Sequence, residues 1–251
     1  MRAIGDCIVH QDRELVIVDK PIGIVSGGPD RQFDGEAGPR QSVESLLVKH
    51  LRRPVWTVHQ LDRNTTGLNC FVLKASLVQP WNDRLKVPGT KRYLAIVHGA
   101  PKVFDPSVEI IVDLSLGERV ASSGKTFPAV MPMIDPTARP ARSRVRFLTV
   151  SHTNEGGFSL VEVVTETGRT HQVRLHLAAI DHPLVGEHLH RDPPCVLHPR
   201  HALHAVRLEF QATDARPALS LAAPFPPDLA DLARRLGLEV QPGLPTPTTS
   251  C

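Results

Sequence analysis

Aromatic residues are scarce in this chain: one tyrosine, two tryptophans and eight phenylalanines among 251 residues. A module that holds single-stranded nucleic acid by stacking alone needs several exposed rings, and few are to spare here. No apolar run approaches the roughly 20 residues of a membrane helix, so a membrane partner is not expected. The opening residues, MRAIGDCIVHQDRELVIVDK, are broken by Asp6, Asp12 and Arg13. They match neither a secretory signal nor an Arg-rich, acid-poor presequence, which makes a cytoplasmic location the expectation. Four cysteines, Cys7, Cys70, Cys195 and Cys251, are scattered without CxxC spacing. That argues against a disulfide framework and suits a reducing compartment. Charge of one sign is also lacking: the net charge is +3. This permits a nucleic-acid partner without demanding one.

What is present is the profile of a soluble globular protein, 41% hydrophobic and 22% charged, long enough to bury a substantial core. ELVIVDK (14–20) predicts a strand closed by Pro21 and Gly23, and 26–41 predicts a loop. SVESLLVKHLRR (42–53) predicts a helix capped by Ser42. LNCFVLKA (68–75), KRYLAIVHG (91–99) and VEIIVDL (108–114) predict strands, and SLVQPWNDRLKV (76–87) a helix. Residues 115–141 show no sustained period and predict irregular structure. SRVRFLTV (143–150) and FSLVEVVTE (158–166) alternate about a Gly-rich turn and predict an antiparallel hairpin. A helix over 170–180, a strand over 203–210 and a helix over 226–237 follow, with Pro opening the last helix and Gly ending it. Residues 239–251 predict a disordered tail after a catalytic domain of 1–238. Neighbouring strands look hairpin-joined rather than alternating strictly with helices. The expected class is therefore α+β: a single domain on a mixed, largely antiparallel sheet with flanking helices.

The stretch HQLDRNTTG (59–67) reads locally as a turn. The cluster RPARSRVR places Arg139, Arg142, Arg144 and Arg146 within eight residues. It is either a solvated strand face or a ridge for phosphates. His188, His190, Cys195, His198, His201 and His204 crowd into 188–204, and Cys195-x2-His198 is a tolerable zinc spacing. The segment carries no recognised finger pattern, however, and no metal site is expected.

Four segments in order, DKPIGIVS (19–26), HQLDRNTTGL (59–68), KRYLAIVHG (91–99) and TGRTHQVRLHLAAIDHPLVGE (167–187), with LHAVRLEF behind them, resemble the RluA-type family of pseudouridine synthases over roughly residues 8–212. The resemblance implies cofactor-free isomerisation of a uridine within ribosomal or transfer RNA by a monomeric enzyme. It places Asp62 at the family's essential aspartate, Tyr93 at the tyrosine that stacks on the target uracil, and Arg174 at the basic partner of the aspartate.

These residue types suit that chemistry. Breaking a glycosidic bond builds positive charge on the sugar, and a carboxylate can stabilise that charge, attack the carbon or remove the 2′ proton. A paired cation keeps the carboxylate ionised, and a flipped base needs a surface to rest on. Arg63, Arg169, Thr170, His171 and Lys91 are candidate RNA contacts, as is Lys20. Arg169 and His171 could equally hold their own loop, and His59 could be a structural hydrogen-bonder.

The chain departs from the family's wording at Gln60, where Arg is usual, and at Asn64. Gln60 remains a candidate RNA contact, though without charge or a bidentate grip on phosphate. No additional N-terminal RNA-binding domain is expected ahead of residue 8. Two other readings remain: a catalytically weak RNA-binding or ribosome-assembly factor, and a base-excising glycosylase.

Overall fold

In the computed structural model, residues 3–27, 41–121, 124–214 and 216–240 are described. The strands are β1 (Ile8–Gln11), β2 (Leu15–Lys20), β3 (Trp56–Thr57), β4 (Thr66–Val72), β5 (Lys91–His98), β6 (Glu109–Val120), β7 (Thr126–Val130), β8 (Arg139–Thr153), β9 (Gly156–Thr165), β10 (Leu203–Phe210) and β11 (Leu219–Ala222). The helices are α1 (Val43–Leu51), α2 (Val78–Leu85), α3 (Gln172–Ala179) and α4 (Pro227–Arg235). The main path through the sheet runs β1-β2-β4-β10-β5-β9-β8-β6-β7, with β3 on β4 and β11 on β10. Every pairing is antiparallel except β4 with β10. The expected class, a mixed and largely antiparallel α+β sheet with flanking helices, is the one observed.

Strand register divides the side chains between two faces, because successive residues point to opposite sides. On one face α2 covers Leu15, Ile17, Leu68 and Cys70, and α4 covers Leu94, Ile96, Phe158 and Leu160. On the other, α1 packs on Val16, Val18 and Phe71, and α3 packs on Ala95, Val97, Val145 and Val163. The second face thus carries one helix over each half of the sheet, with the central strands β4, β10 and β5 between them.

Local chemistry explains the elements. Ser42 caps α1 by accepting from Ser45 N at 3.1 Å, and Ser45 Oγ accepts from Ser42 N at 3.0 Å, so two otherwise orphaned donors are satisfied. Pro80 lies in the first turn of α2, where its missing N–H is harmless. The strands and helices anticipated outside 115–141 occur within a few residues of the expected bounds. β1 and β11, both four residues long, were not anticipated.

The irregular structure expected over 115–141 is corrected: β6 runs on to Val120, β7 follows, and β8 begins at Arg139. β7 is an edge strand, where Pro128 sits opposite Glu118 and removes no ladder bond from a further neighbour. Pro128 and Gly117 erase the alternation that marks a strand, and the edge position of β7 tolerates the proline. Most of the loop expected over 26–41 and of the tail over 239–251 lies outside the described residues. Among those residues no helix is long and apolar enough to cross a membrane.

Candidate active site

Between α1 and α3, on the face they share, the loop joining β3 to β4 presents Asp62. The loop is held from three directions. Lys20, fully buried at the end of β2, donates from Nζ to the carbonyls of Pro21 (3.1 Å), Ile24 (2.8 Å) and Arg63 (3.0 Å). Burial pulls the pKa of this lysine down to about 7, while the Asp62 charge pulls it back up. Three carbonyl acceptors use three N–H groups, so the geometry is that of the ammonium. From the neighbouring loop, Ser26 Oγ accepts from Leu61 N at 2.9 Å. Beneath, Arg200 Nη1 donates to Asn64 O at 3.0 Å while its other nitrogens grip Asp228 of α4 at 2.7 and 3.1 Å. Where the loop enters β4, Gly67 has φ +107°, and a Cβ there would run into the backbone of Ala205. The turn therefore requires glycine.

Asp62 faces α3. Arg174 Nη1 donates to Asp62 Oδ2 at 3.2 Å, and His171 Nε2 stands 3.8 Å from Oδ1. Burial alone would raise the Asp62 carboxyl. The charges of His171 and His201 when those rings are protonated, and of Arg174 with its hydrogen bond, outweigh it and bring the pKa down to about 2 in acid. Asp62 is therefore ionised at neutral pH.

Arg174 is itself held by a second carboxylate. Its Nε and Nη2 donate to Glu187 Oε2 and Oε1 at 2.9 and 2.8 Å, a bidentate fork, and the Glu187 side chain is 1% exposed. Glu187 Oε1 also accepts from the backbone N–H groups of Leu189 (2.9 Å) and His190 (3.2 Å). Burial opposes its ionisation, and the Arg174 bonds and charge hold its pKa well below the usual carboxylate range.

Tyr93 of β5 pairs with Val163 and Ala205, so register puts it on the α3 face. Burial and the neighbouring Asp62 charge both push its phenol above the ordinary value. Asp62, Tyr93 and Arg174, which the resemblance places in three separate motifs, thus lie on one face.

The candidate RNA contacts separate. Gln60, Arg169 and Thr170 are exposed and Arg63 is half-buried. Gln60 Nε2 donates to Gly27 O at 3.1 Å, and Arg169 Nε to Pro140 O at 3.1 Å. His171 is buried and turned inward, its Nδ1 2.8 Å from His190 Nε2. Lys20 and Lys91 correct the expectation of phosphate contacts: both ammonium groups are buried on backbone carbonyls, Lys91 Nζ on Thr167 O at 2.9 Å. His59 is a structural bonder, its Nε2 accepting from Cys70 N at 3.1 Å.

Arg142, Arg144 and Arg146 lie on the face opposite Tyr93, since Arg144, Val164 and Arg92 are in register. There they meet Asp113, Glu109, Glu162 and Glu166. This is the solvated strand face of the two readings, with its charge matched across strands.

The His and Cys side chains of 195–204 each find a separate partner. Cys195 meets His98, His198 meets Arg200 O, His201 meets Thr65 and His204 meets Thr66. Among the described residues no three His, Cys, Asp or Glu side chains form a metal-holding group. Glu187, Gln172 and Arg200 escaped the motif reading. Gln172, buried at the start of α3, accepts from Arg169 N at 3.0 Å and Thr167 Oγ1 at 2.7 Å, and so shapes the loop before the helix. Only the bare presence of polar residues in apolar surroundings could have flagged them.

A mixed sheet that presents an ionised carboxylate clamped by arginine, on the same face as a tyrosine, defines a class of acid-centred α+β proteins. Comparison with known proteins gives the family. Residues 14–179 match the model for RNA pseudouridylate synthases, and the chain belongs to that family, with the RluA-type membership that its motifs suggested. It is 30% identical over 231 residues to an uncharacterized RNA pseudouridine synthase of Synechocystis sp., covering 87% of this chain and 65% of that protein. It is 29% identical to ribosomal large subunit pseudouridine synthase D of Neisseria meningitidis serogroup A, covering 92% of this chain and 61% of that one. The chain therefore spans somewhat under two thirds of these relatives. Among solved structures, human RNA pseudouridylate synthase domain containing 4 superposes with a TM-score of 0.70 at 26% identity, covering 95% of both chains.

Proposed function

We propose that this chain isomerises uridine to pseudouridine within ribosomal or transfer RNA, with Asp62 as the essential carboxylate. The observation that carries the reading is Asp62 itself, kept ionised by Arg174 in a cleft that also presents Tyr93. In the reaction the bond from uracil N1 to the ribose breaks and a bond from C5 forms. C5 gives up its proton and N1 gains one, so the mass of the RNA is unchanged. Asp62 meets the positive charge that develops on the sugar. Tyr93 offers the flipped uracil a face to rest on. Arg174 holds the carboxylate in place. Arg63, Arg169, Thr170 and Gln60, on the outer side of the cleft, contact the RNA backbone.

Total ribosomal and transfer RNA from cells lacking the protein, treated with wild type or Asp62→Asn, tests this through carbodiimide mapping of pseudouridine. A site that forms with wild type and not with Asp62→Asn is the expected result. RNA that is bound but unchanged by wild type would replace the isomerase with the assembly-factor reading. An abasic site in place of an isomer would indicate base excision.

A further inference from the structure

The histidine-rich segment after Glu187 is unused by the reaction as set out above, yet one of its rings reaches the cleft. His190 Nε2 lies 2.8 Å from His171 Nδ1, with ring centroids 5.0 Å apart and planes at 71°. The opposite nitrogen of His171, Nε2, stands 3.8 Å from Asp62 Oδ1, and the His171 side chain is 4% exposed. His171 has φ +55°, a left-handed conformation uncommon for a non-glycine residue.

The two ring nitrogens of His171 are coupled. With the proton on Nδ1 alone, a bare lone pair would face the Asp62 carboxylate, which repels it. With Nε2 protonated, a donor faces the carboxylate, and Nδ1 needs a partner. His190 supplies that partner. The backbone fixes His190 in turn, because its N–H is tied to Glu187 Oε1 at 3.2 Å, the same oxygen that holds Arg174. One turn, 187–190, therefore holds both groups that face Asp62: Arg174 through Glu187, and His171 through His190.

We infer that His190 is a positioning residue for the isomerisation, holding the His171 ring so that its Nε2–H faces Asp62. The inference rests on the proposed reaction for its kinetic effect, but not for its structural content. The group acts through His171 and touches no substrate.

Two substitutions separate the roles of ring and donor. His190→Phe keeps an aromatic ring and removes the nitrogen, whereas His190→Gln restores an N–H near the Nε2 position. Long-range proton–nitrogen NMR of the histidine rings reads the protonated nitrogen of His171 directly, whatever the RNA activity. The expected result is a protonated Nε2 in wild type and in His190→Gln, and a mixture of tautomers in His190→Phe. With RNA, His190→Phe should lower kcat about tenfold with KM within about twofold, the pattern of a misplaced group rather than lost binding. His190→Gln should recover most of that loss.

A bare His171 Nε2 in wild type would overturn the inference. So would wild-type kcat and an unchanged tautomer in His190→Phe, or a His190→Gln protein as slow as His190→Phe. If wild type proves inactive on every RNA, the proposed reaction falls while the NMR result still decides the placement of His171.

Discussion

At the scale of single residues, the cleft shows how one carboxylate is kept charged inside a protein. Asp62 has a cation on α3, an imidazole beside it and a buried ammonium behind its loop. The desolvation that would neutralise it is outweighed. Lys20 is the least obvious of these groups. Its three carbonyl bonds join the turn after β2 to the loop bearing Asp62. Replacing it by Met leaves those carbonyls without their donor. We expect Lys20→Met to lose about 2–4 kcal/mol of unfolding free energy, read from urea denaturation. It should also lower kcat, because the loop that aims Asp62 loosens. A variant with unchanged stability would show that the ammonium contributes nothing net. Of the site, Asp62, Tyr93 and Arg174 were named from motifs, whereas Glu187 was not, and Lys20 was read as a candidate RNA contact. A lysine in a strand–turn signal looks exposed, and nothing local reveals that three carbonyls from two loops surround it.

At the scale of elements, turns carry as much of the site as helices do. Gly186, just before Glu187, has φ +76°, and a Cβ there would strike the Arg200 carbonyl. Gly89 has a similar φ of +89° but open space around it. Both pay the same backbone strain on substitution, so the pair isolates the clash. Gly89→Ala should cost about 1 kcal/mol, and Gly186→Ala at least twice that. Gly186→Ala should also reduce kcat, because the displaced turn carries both Glu187 and His190. Equal costs in thermal denaturation would mean that the 186–200 contact gives way freely. The β6–β7–β8 ribbon gives the complementary lesson. The end of β6, all of β7 and the start of β8 escaped sequence reading because Pro128 and Gly117 break the alternation, and the edge position of β7 makes Pro128 tolerable. Elements with both faces buried, such as β4, or with a clear stripe, such as α4, were legible because burial itself imposes the pattern.

At the scale of the molecule, the sheet buries an unusual set of neutral histidines. Burial lowers the pKa of His59 to about 3, of His98 and His176 to about 4, of His190 to about 3 and of His204 to about 4, and pulls His201 well down. Their folded values lie below the unfolded one near 6.5, so the unfolded chain binds more protons between the two. Stability is then full above about pH 6.5 and falls as the pH drops below it. For His204, fully buried, the difference reaches about 2 kcal/mol at pH 5. Asp62 and Glu187, whose pKa values are depressed, add a further loss below about pH 4. The urea midpoint should decline steadily from pH 7 to pH 5. A flat midpoint over that range would show that these rings admit protons without unfolding.

The amino-acid sequence by itself determined the class of fold and the family, and its motifs named Asp62, Tyr93 and Arg174, which the fold brings onto one face. Those features are written in short-range patterns: period-2 and period-3.6 alternation, and motifs in which neighbouring residues serve one site. Only the tertiary structure decided the clamp on Arg174, the seat of Lys20, the pairing of His171 with His190, and which face the Arg142–Arg146 ladder occupies. Each depends on groups brought together from distant strands and loops. Whether a polar side chain meets water, a carbonyl or a carboxylate is set by packing, which leaves no periodic trace along the chain.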